Sequence, residues 1–289
     1  MKGMIPCRLV LFVIIGLIAI GCENKSQTAE KGTVKANPGY LEHFGQPPTP
    51  EAGTCFARIG FFPSTTHPGK VRPVPYFLFT ETGQLEQILR RMVSEQGVFH
   101  SGVDMVTPFP PGTEVSLSAV KEGLVEVNLL VPEKGRATLD LQAVAATLTE
   151  TAVQFEEIER VRILLNGEPL PGMPGDGFRH QPERISPAGP AVLLTVIGSW
   201  EKGGAAPEEI LVGFDRPVTV ETFQLLDPSG QPVKGEYYRS VFDMAVVIHP
   251  ANPHDFTAGM TLRAEWDVTD TLGRKGKGAG DFTLVRHDH

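Results

Sequence analysis

The sequence predicts a two-domain chain of the α+β class, with a small α/β domain at residues 54–172 and an antiparallel β-sandwich at 191–289. In the first region, two apolar patterns of helical spacing stand between segments that alternate in the manner of strands. The second region consists of short alternating segments separated by turn residues, which is typical of a sandwich. Repeated Gly and Pro at 173–190 indicate a linker between the two domains.

In the first domain, strands are expected near 56–61 and 74–79. A helix follows, because Leu85, Ile88, Leu89, Met92 and Val93 recur at i, i+3, i+4, i+7 and i+8. Its charged face is interpreted as a solvated helix surface.

Residues 115–129 alternate on both sides of Lys121-Glu122-Gly123, which predicts a β-hairpin. A second helix is expected at 141–152, with its N-cap supplied by Asp140 or Thr138. A last strand at 161–165 completes the domain. The order of strand, helix, hairpin, helix and strand predicts helices covering one face of a sheet.

These residues carry a resemblance to a known family over roughly 72–172. The segment Pro-Pro-Gly-Thr113-Glu-Val, the strand Val-Glu-Val-Asn128-Leu and the ending Val161 to Gly167 resemble the GerMN domain, the sporulation and spore-germination module. The chain departs from the family near Val98–Met105, where a Gly-Pro-containing loop is usual. The resemblance implies a fold similar to the ring-building motifs of envelope-spanning machines, a binding or assembly role, and no catalytic residues.

The last hundred residues carry a second resemblance, over about 190–286. The wording Val-Gly-Phe-Asp215-Arg-Pro-Val, the turn Leu-Leu-Asp227-Pro-Ser-Gly and the ending Val-Thr-Asp270-Thr-Leu-Gly resemble bacterial Ig-like domains of the SbsA type. Asp215 takes the position where serine is usual. The resemblance implies a spacer, adhesion or scaffold domain.

The first 22 residues have the layout of an export signal. Lys2 and Arg8 precede an uncharged run at 9–20 that is short for a bilayer span, and a small residue stands before Cys22. This layout resembles the lipobox of bacterial lipoproteins, which implies cleavage after residue 21 and acylation of Cys22, palmitate included. An ordinary cleaved signal and an uncleaved anchor helix are the alternatives.

Residues 22–53 are predicted to be a lipidated, flexible tether, because they contain too few apolar residues to form a core. Two or three acyl chains would hold the protein on a membrane almost permanently. Glu23, rather than Asp, follows Cys22. The resemblance therefore implies the periplasmic face of the outer membrane in a Gram-negative host, and the outer face of the cell membrane otherwise.

Composition excludes several partners and chemistries. The net charge is −8, and loss of Lys2 and Arg8 with the signal would make it −10, so no attraction for nucleic acid is expected. Cys55 would remain as the one cysteine not assigned to signal or lipid, which leaves no pair for an intramolecular disulfide. It is interpreted as a buried hydrophobe, with an intermolecular bridge as the alternative.

Three aromatic residues are the candidate ligand contacts, namely Trp200, Tyr237 and Tyr238. Aromatic rings on a sandwich face stack on sugars or anchor a partner, although most such rings fill a core. Adjacent tyrosines in one strand point to opposite faces, so one of the pair is expected to be exposed.

The other polar groupings are interpreted without a metal or a reaction. His249, His254 and Asp255 are separated by prolines, which favours an exposed loop over a metal site. A calcium site at Asp267, Asp270 and Asp281 is weighed against ordinary turn formation and set aside. No nucleophile elbow or phosphate loop is found, and no catalytic residue, metal or cofactor is predicted.

The sequence thus predicts a non-catalytic, lipid-anchored envelope protein that acts as an interaction or assembly scaffold. The alternative is a module that binds peptidoglycan or another glycan, and a hydrolase acting on envelope polymer is the third class. Expected partners are the membrane through Cys22 and either envelope proteins or peptidoglycan. A homo-oligomer is left open.

Overall fold

A computed structural model describes residues 32–50, 52–94, 103–240 and 243–289. In chain order the elements are β1 (Thr33–Ala36), α1 (Pro38–Phe44), β2 (Thr54–Pro63), β3 (Val71–Leu78), α2 (Gln84–Ser94), β4 (Glu114–Leu117), β5 (Leu124–Leu130), α3 (Glu133–Arg136), α4 (Leu141–Ala152), β6 (Arg160–Leu165), β7 (Glu168–Pro169), β8 (Leu193–Trp200), β9 (Glu209–Phe214), β10 (Val218–Leu226), β11 (Gly235–Arg239), β12 (Ala245–Pro250), β13 (Thr261–Asp270) and β14 (Lys275–Asp288). The described part is mostly β, with more strand relative to helix than the predicted α+β class implies.

The first domain contains two sheets, where the sequence predicts one. β1, β2 and β3 form a three-stranded sheet, and β4 to β7 form a four-stranded sheet in sequence order. Both sheets contribute to one hydrophobic core together with α2 and α4, through residues such as Phe56, Val127, Leu89 and Leu148. The predicted helices therefore pack between two small sheets rather than on one face of a larger one.

The predicted hairpin turn and the predicted helix cap of this domain are both confirmed. The β4–β5 hairpin turns at Glu122 and Gly123, whose φ values of 50° and 72° match the twist of the flanking strands. Asp140 caps α4, and its carboxylate accepts hydrogen bonds from the backbone N–H groups of Gln142 and Ala143 at 3.0 and 3.1 Å.

The predicted tether is partly folded. β1 pairs in parallel with β2, and α1 begins after Asn37, whose side chain accepts a hydrogen bond from the N–H of Tyr40 at 2.8 Å. Tyr40 and Phe44 from α1 are buried against Ile59 and Phe61 of β2. Two aromatic residues therefore anchor a segment whose overall composition is that of a linker.

The last hundred residues form one continuous seven-stranded sheet in the order β10-β13-β14-β8-β9-β12-β11. The first half of β14 pairs antiparallel with β13, and its second half pairs in parallel with β8. The prediction of a wholly antiparallel arrangement is therefore wrong for the pairing of β14 with β8. Residues from both halves of the sheet share one core, including Trp200, Ile210, Leu225 and Trp266.

A buried network of charges lies where α1 and residues 188–189 meet the seven-stranded sheet. Arg216 and Asp270 lie in the C-terminal domain, and the Arg216 guanidinium donates to Asp215 Oδ2 at 2.5 Å and to Asp270 Oδ2 at 3.4 Å. Its Nη1 also donates to the carbonyl of Gly189 at 2.8 Å, and its charged centre lies 4.6 Å from the Phe44 ring. All three charged side chains are 3% exposed or less. We call this group the junction.

Further hydrogen bonds extend the junction. Arg274 donates to Asp270 at 2.6 Å and to the carbonyl of Ala188 at 2.9 Å, and the Thr271 hydroxyl donates to the carbonyl of Phe44 at 2.6 Å. The predicted linker also packs on the first domain, where the Ser186 N–H donates to the carbonyl of Val71. The linker and α1 are thus bonded to both domains.

Candidate functional site

A large groove lies between β10 and β11. These are the two outermost strands of the seven-stranded sheet, and each has only one neighbouring strand. A space of about 900 Å³ separates them. We call this opening the seam. It is of the size that small ligands and single anchoring side chains occupy.

Aromatic rings from both strands line the seam. Phe223 of β10 and Tyr237 of β11 face each other with ring centroids 6.3 Å apart, and Trp266 of β13 contributes to the lining. Tyr237 is 40% exposed, and its hydroxyl donates to the carbonyl of Val233 at 2.7 Å. Partial burial raises the pKa of Tyr237, so the ring stays neutral at physiological pH.

The rim of the seam carries charges. Arg239 donates to the carbonyl of Val220 at 3.5 Å and forms no ion pair with a carboxylate of the described residues. Lys277 lies 4.0 Å from Asp267, and Glu265 lies on the same side of the groove. An apolar centre surrounded by a polar rim is typical of protein contact surfaces.

Tyr238 lies in the same strand but is engaged by its own neighbours. Its hydroxyl donates to Glu209 Oε1 at 2.7 Å and lies 2.5 Å from His249 Nε2, and its ring stacks on the His249 ring at 5.0 Å. Burial, together with the hydrogen bond to Glu209, raises the pKa of Tyr238 to about 12. Tyr237 is therefore the better contact candidate, although both rings are 40% exposed.

Trp200 does not lie at the surface, contrary to its place among the predicted ligand contacts. The side chain is 1% exposed, and the Arg286 guanidinium covers the ring at 5.0 Å from its centroid. The alternation of β8 turns Trp200 inward together with Val196, which is the ordinary position for a large aromatic residue.

The aspartates considered above as calcium ligands form ion pairs with basic residues instead. Asp270 is held by Arg216 and Arg274, and Asp281 pairs with Arg263 at 3.2 Å. Within the described ranges, no group of three or more His, Cys, Asp or Glu side chains is arranged to hold a metal ion. Cys55 is buried as a free thiol, and burial raises its pKa.

A second groove of about 760 Å³ lies where α1, α4 and the linker meet. Its buried carboxylate, Glu150, already accepts from the N–H of Gln181 at 2.9 Å and contacts His180 Nδ1 at 2.6 Å. Because this carboxylate is satisfied within the chain, we regard the seam as the candidate functional site.

The proposed lipid attachment residue, Cys22, lies outside the described residues. Among those that are described, no helix is long and apolar enough to cross a membrane.

Residues 61–171 match the family model of the Germane domain, described as sporulation and spore germination. The match spans less than half of the chain and confirms the GerMN resemblance of the first domain. No curated protein matches the chain.

Several solved structures are similar to part of the chain. The tandem GerMN domains of the sporulation protein GerM from Bacillus subtilis are 21% identical over 43% of this chain and 44% of that one, with a TM-score of 0.34. CopC from Methylosinus trichosporium OB3b is 15% identical over 34% and 97%, with a TM-score of 0.24. The copper resistance protein PcoC from Escherichia coli is 25% identical over 34% and 99%, with a TM-score of 0.25. The chain thus spans less than half the length of the tandem GerM structure.

Proposed function

We propose that this protein is a non-catalytic, lipid-anchored scaffold of the cell envelope that binds a partner protein at the seam. The seam is the single observation that carries the proposal, because the Tyr237 ring is 40% exposed and Arg239 has no carboxylate partner among the described residues. The GerMN match of residues 61–171 supports an envelope-associated, binding role. The lipobox-like sequence before Cys22 supports the anchor.

The proposal includes the location and the C-terminal fold. Lipid on Cys22 would place the chain on the periplasmic face of the outer membrane, or on the outer face of the cell membrane in a host with one membrane. We further propose that the C-terminal unit is an Ig-like sandwich, since two halves of its sheet enclose one core and β14 belongs to both.

The anchor is tested by mass spectrometry of the N-terminal peptide from native cells. We expect a diacylated Cys22, and Cys22→Ala should release the protein into the soluble fraction. An unmodified, soluble wild-type product would overturn the anchor.

The partner is tested by placing a photo-crosslinking amino acid at position 237 in intact cells. We expect a protein adduct of defined mass that is much weaker when the same group is placed at position 238, because Tyr238 also borders the groove but its side chain contacts Glu209 and His249. Equal adducts from both positions, or none from either, would contradict a partner site at the seam.

A second candidate is a glycan-binding module of the envelope, and the Phe223–Tyr237 ring pair favours it because sugars stack on exposed aromatic faces. In a sedimentation assay with isolated peptidoglycan, this function predicts co-sedimentation that survives high salt and is lost in Tyr237→Ala. Protein left in the supernatant excludes it and favours a protein partner.

A further inference from the structure

The hydrogen-bonding direction of β11 is fixed by its two ends. The Lys234 carbonyl accepts from the N–H of Ala251, and the Ser240 N–H donates to the carbonyl of Ala245, so both residues face β12. Backbone groups alternate in direction with a period of two along an antiparallel strand. Glu236 and Tyr238 therefore also face β12, whereas the N–H and C=O groups of Tyr237 and Arg239 point to the free edge.

The opposite wall of the seam is partly occupied. On β10, the Leu225 carbonyl accepts from the N–H of Val233 at 2.8 Å, so the outer edge there is already satisfied by the chain itself. Val220 uses its carbonyl to accept from Arg239. The free edge of β11 offers backbone donors and acceptors at both Tyr237 and Arg239, and such an edge is a template for another strand.

The two residues whose backbone groups point to the free edge of β11 also line the groove with their side chains. Tyr237 and Arg239 stand two residues apart, so their side chains lie on the same face of β11, and both line the groove. A strand added beside β11 would place one side chain against the ring of Tyr237 and, two residues along, another against the guanidinium of Arg239. The groove beside Tyr237 is lined by the Phe223 ring, which suits an apolar side chain.

The charge of Arg239 indicates which residue type would lie against it on the added strand. The chain carries 34 acidic and 26 basic residues, yet Arg239 has no carboxylate partner among the described residues. An exposed guanidinium binds a carboxylate in a bidentate manner when one is offered. The complementary residue on the added strand is therefore Asp or Glu.

We propose that the seam binds an extended peptide segment of another protein, which pairs with the free edge of β11 and carries an apolar and an acidic residue two positions apart. This proposal rests on the proposed partner site and specifies the chemistry of its occupant. It is β-strand addition, in which backbone hydrogen bonds give affinity and alternate side chains give specificity.

The test begins with selection of phage-displayed random seven-residue peptides on the full chain purified in detergent. We expect enrichment of peptides in which Asp or Glu stands two positions from a large apolar residue. Arg239→Glu should reverse the charge preference to Lys or Arg, and Arg239→Lys should retain the acidic one. Tyr238→Ala is the matched control and should leave the selection unchanged. No enrichment, or the same peptides from wild type and Arg239→Glu, would overturn the proposal.

Hydrogen exchange then tests the backbone geometry with the best selected peptide. The amide protons of Tyr237 and Arg239 should exchange at least tenfold more slowly when the peptide is bound, while those of Glu236 and Tyr238 should not change. Binding without this alternating protection would overturn strand addition. If position 237 cross-links to a protein in cells but the amide protons of Tyr237 and Arg239 are not protected from exchange, strand addition is wrong and the scaffold function is retained. If these amide protons are protected by the peptide but no cellular protein adduct forms, strand addition is retained and the scaffold function is wrong.

Discussion

The junction and the seam each contain an arginine of the C-terminal region, and the surroundings of the two cations differ. At the junction, Arg216 lies over Phe44 and is 3% exposed, with two carboxylates and a carbonyl as hydrogen-bond acceptors. At the seam, Arg239 lines a groove with Tyr237, which is 40% exposed, and its one described acceptor is a carbonyl at 3.5 Å.

This difference separates a structural role from a binding role for the same residue type. A buried charge must be paired, because removing it from water is expensive. The junction meets that requirement within the chain, so its arginine stabilises the fold. The seam leaves its arginine in solvent, so the cation remains available to a partner.

The largest expected effect is that of Arg216→Ala. It would leave Asp215 and Asp270 buried without their common partner, and breaking a buried pair costs about 3–5 kcal/mol. Chemical denaturation measures the free energy of unfolding. Arg263→Ala is the control, since this arginine is 46% exposed and its surface pairs are worth about 0.2–1 kcal/mol. Equal losses from the two variants would refute the comparison.

Phe44→Ala tests whether the segment before residue 54 is part of the fold. Phe44 is 2% exposed and its ring contacts Tyr40 and Arg216, so its truncation should cost about 3 kcal/mol. A flexible tether would show no change in stability. Limited proteolysis near Lys35 gives an independent readout, because cleavage should accelerate in the variant and stay slow in the wild type.

Asp104 is a charged residue of the first domain at which the need to pair a shielded charge can be tested by substitution. Burial tends to raise the pKa of this carboxyl, but hydrogen bonds from Thr66, Ser64 and Thr65 hold it well below its usual range. Asp104→Asn should therefore cost about 2 kcal/mol at pH 7, the usual value for hydrogen bonds to a charged group.

The pH dependence of this difference has a defined sign. A depressed carboxyl pKa contributes stability that is present above the unfolded value, near pH 4, and is lost as the pH falls through the folded value. The difference in Tm between wild type and Asp104→Asn should therefore be constant from pH 7 to about 5 and shrink below about 4. A difference that grows on acidification would contradict the assigned hydrogen bonds.

The smallest expected effect on stability is that of Arg239→Ala. An exposed cation without a carboxylate partner should change the free energy of unfolding by less than about 0.5 kcal/mol. The same variant should weaken binding of the selected peptide at least tenfold in a fluorescence anisotropy titration. Lost stability together with retained binding would reverse the roles assigned to the two arginines.

Local patterns predicted most elements of the fold. The helical spacing from Leu85 to Val93, the alternation around Gly123 and the cap at Asp140 each specify their element through neighbours in sequence. The division into two sheets was not predicted, because strand pairing joins residues far apart in the chain. The two pairings of β14 could not be predicted either, because no local sequence pattern shows that one strand pairs with both β13 and β8.

The site was predicted in part. The opposite orientation of Tyr237 and Tyr238 follows from strand geometry, but their neighbours Phe223 and His249 come from other strands. The folded segment before residue 54 was missed because its composition is polar on average. Asn37-Pro38 is nevertheless a recognisable helix start, with an N-cap residue followed by proline, and Tyr40 and Phe44 follow at helical spacing.

If Cys22 carries the proposed lipid, the early start of the fold would limit how far the folded part can reach from the membrane. With lipid on Cys22, ten residues separate the membrane from Thr33, and they span at most about 35 Å. A tether continuing to residue 53 would span about 100 Å, so the accessible volume falls roughly twentyfold. Under the proposed anchor, the shorter tether would confine the folded part to a thin layer at the bilayer surface, where its effective concentration toward membrane-bound partners would be correspondingly high.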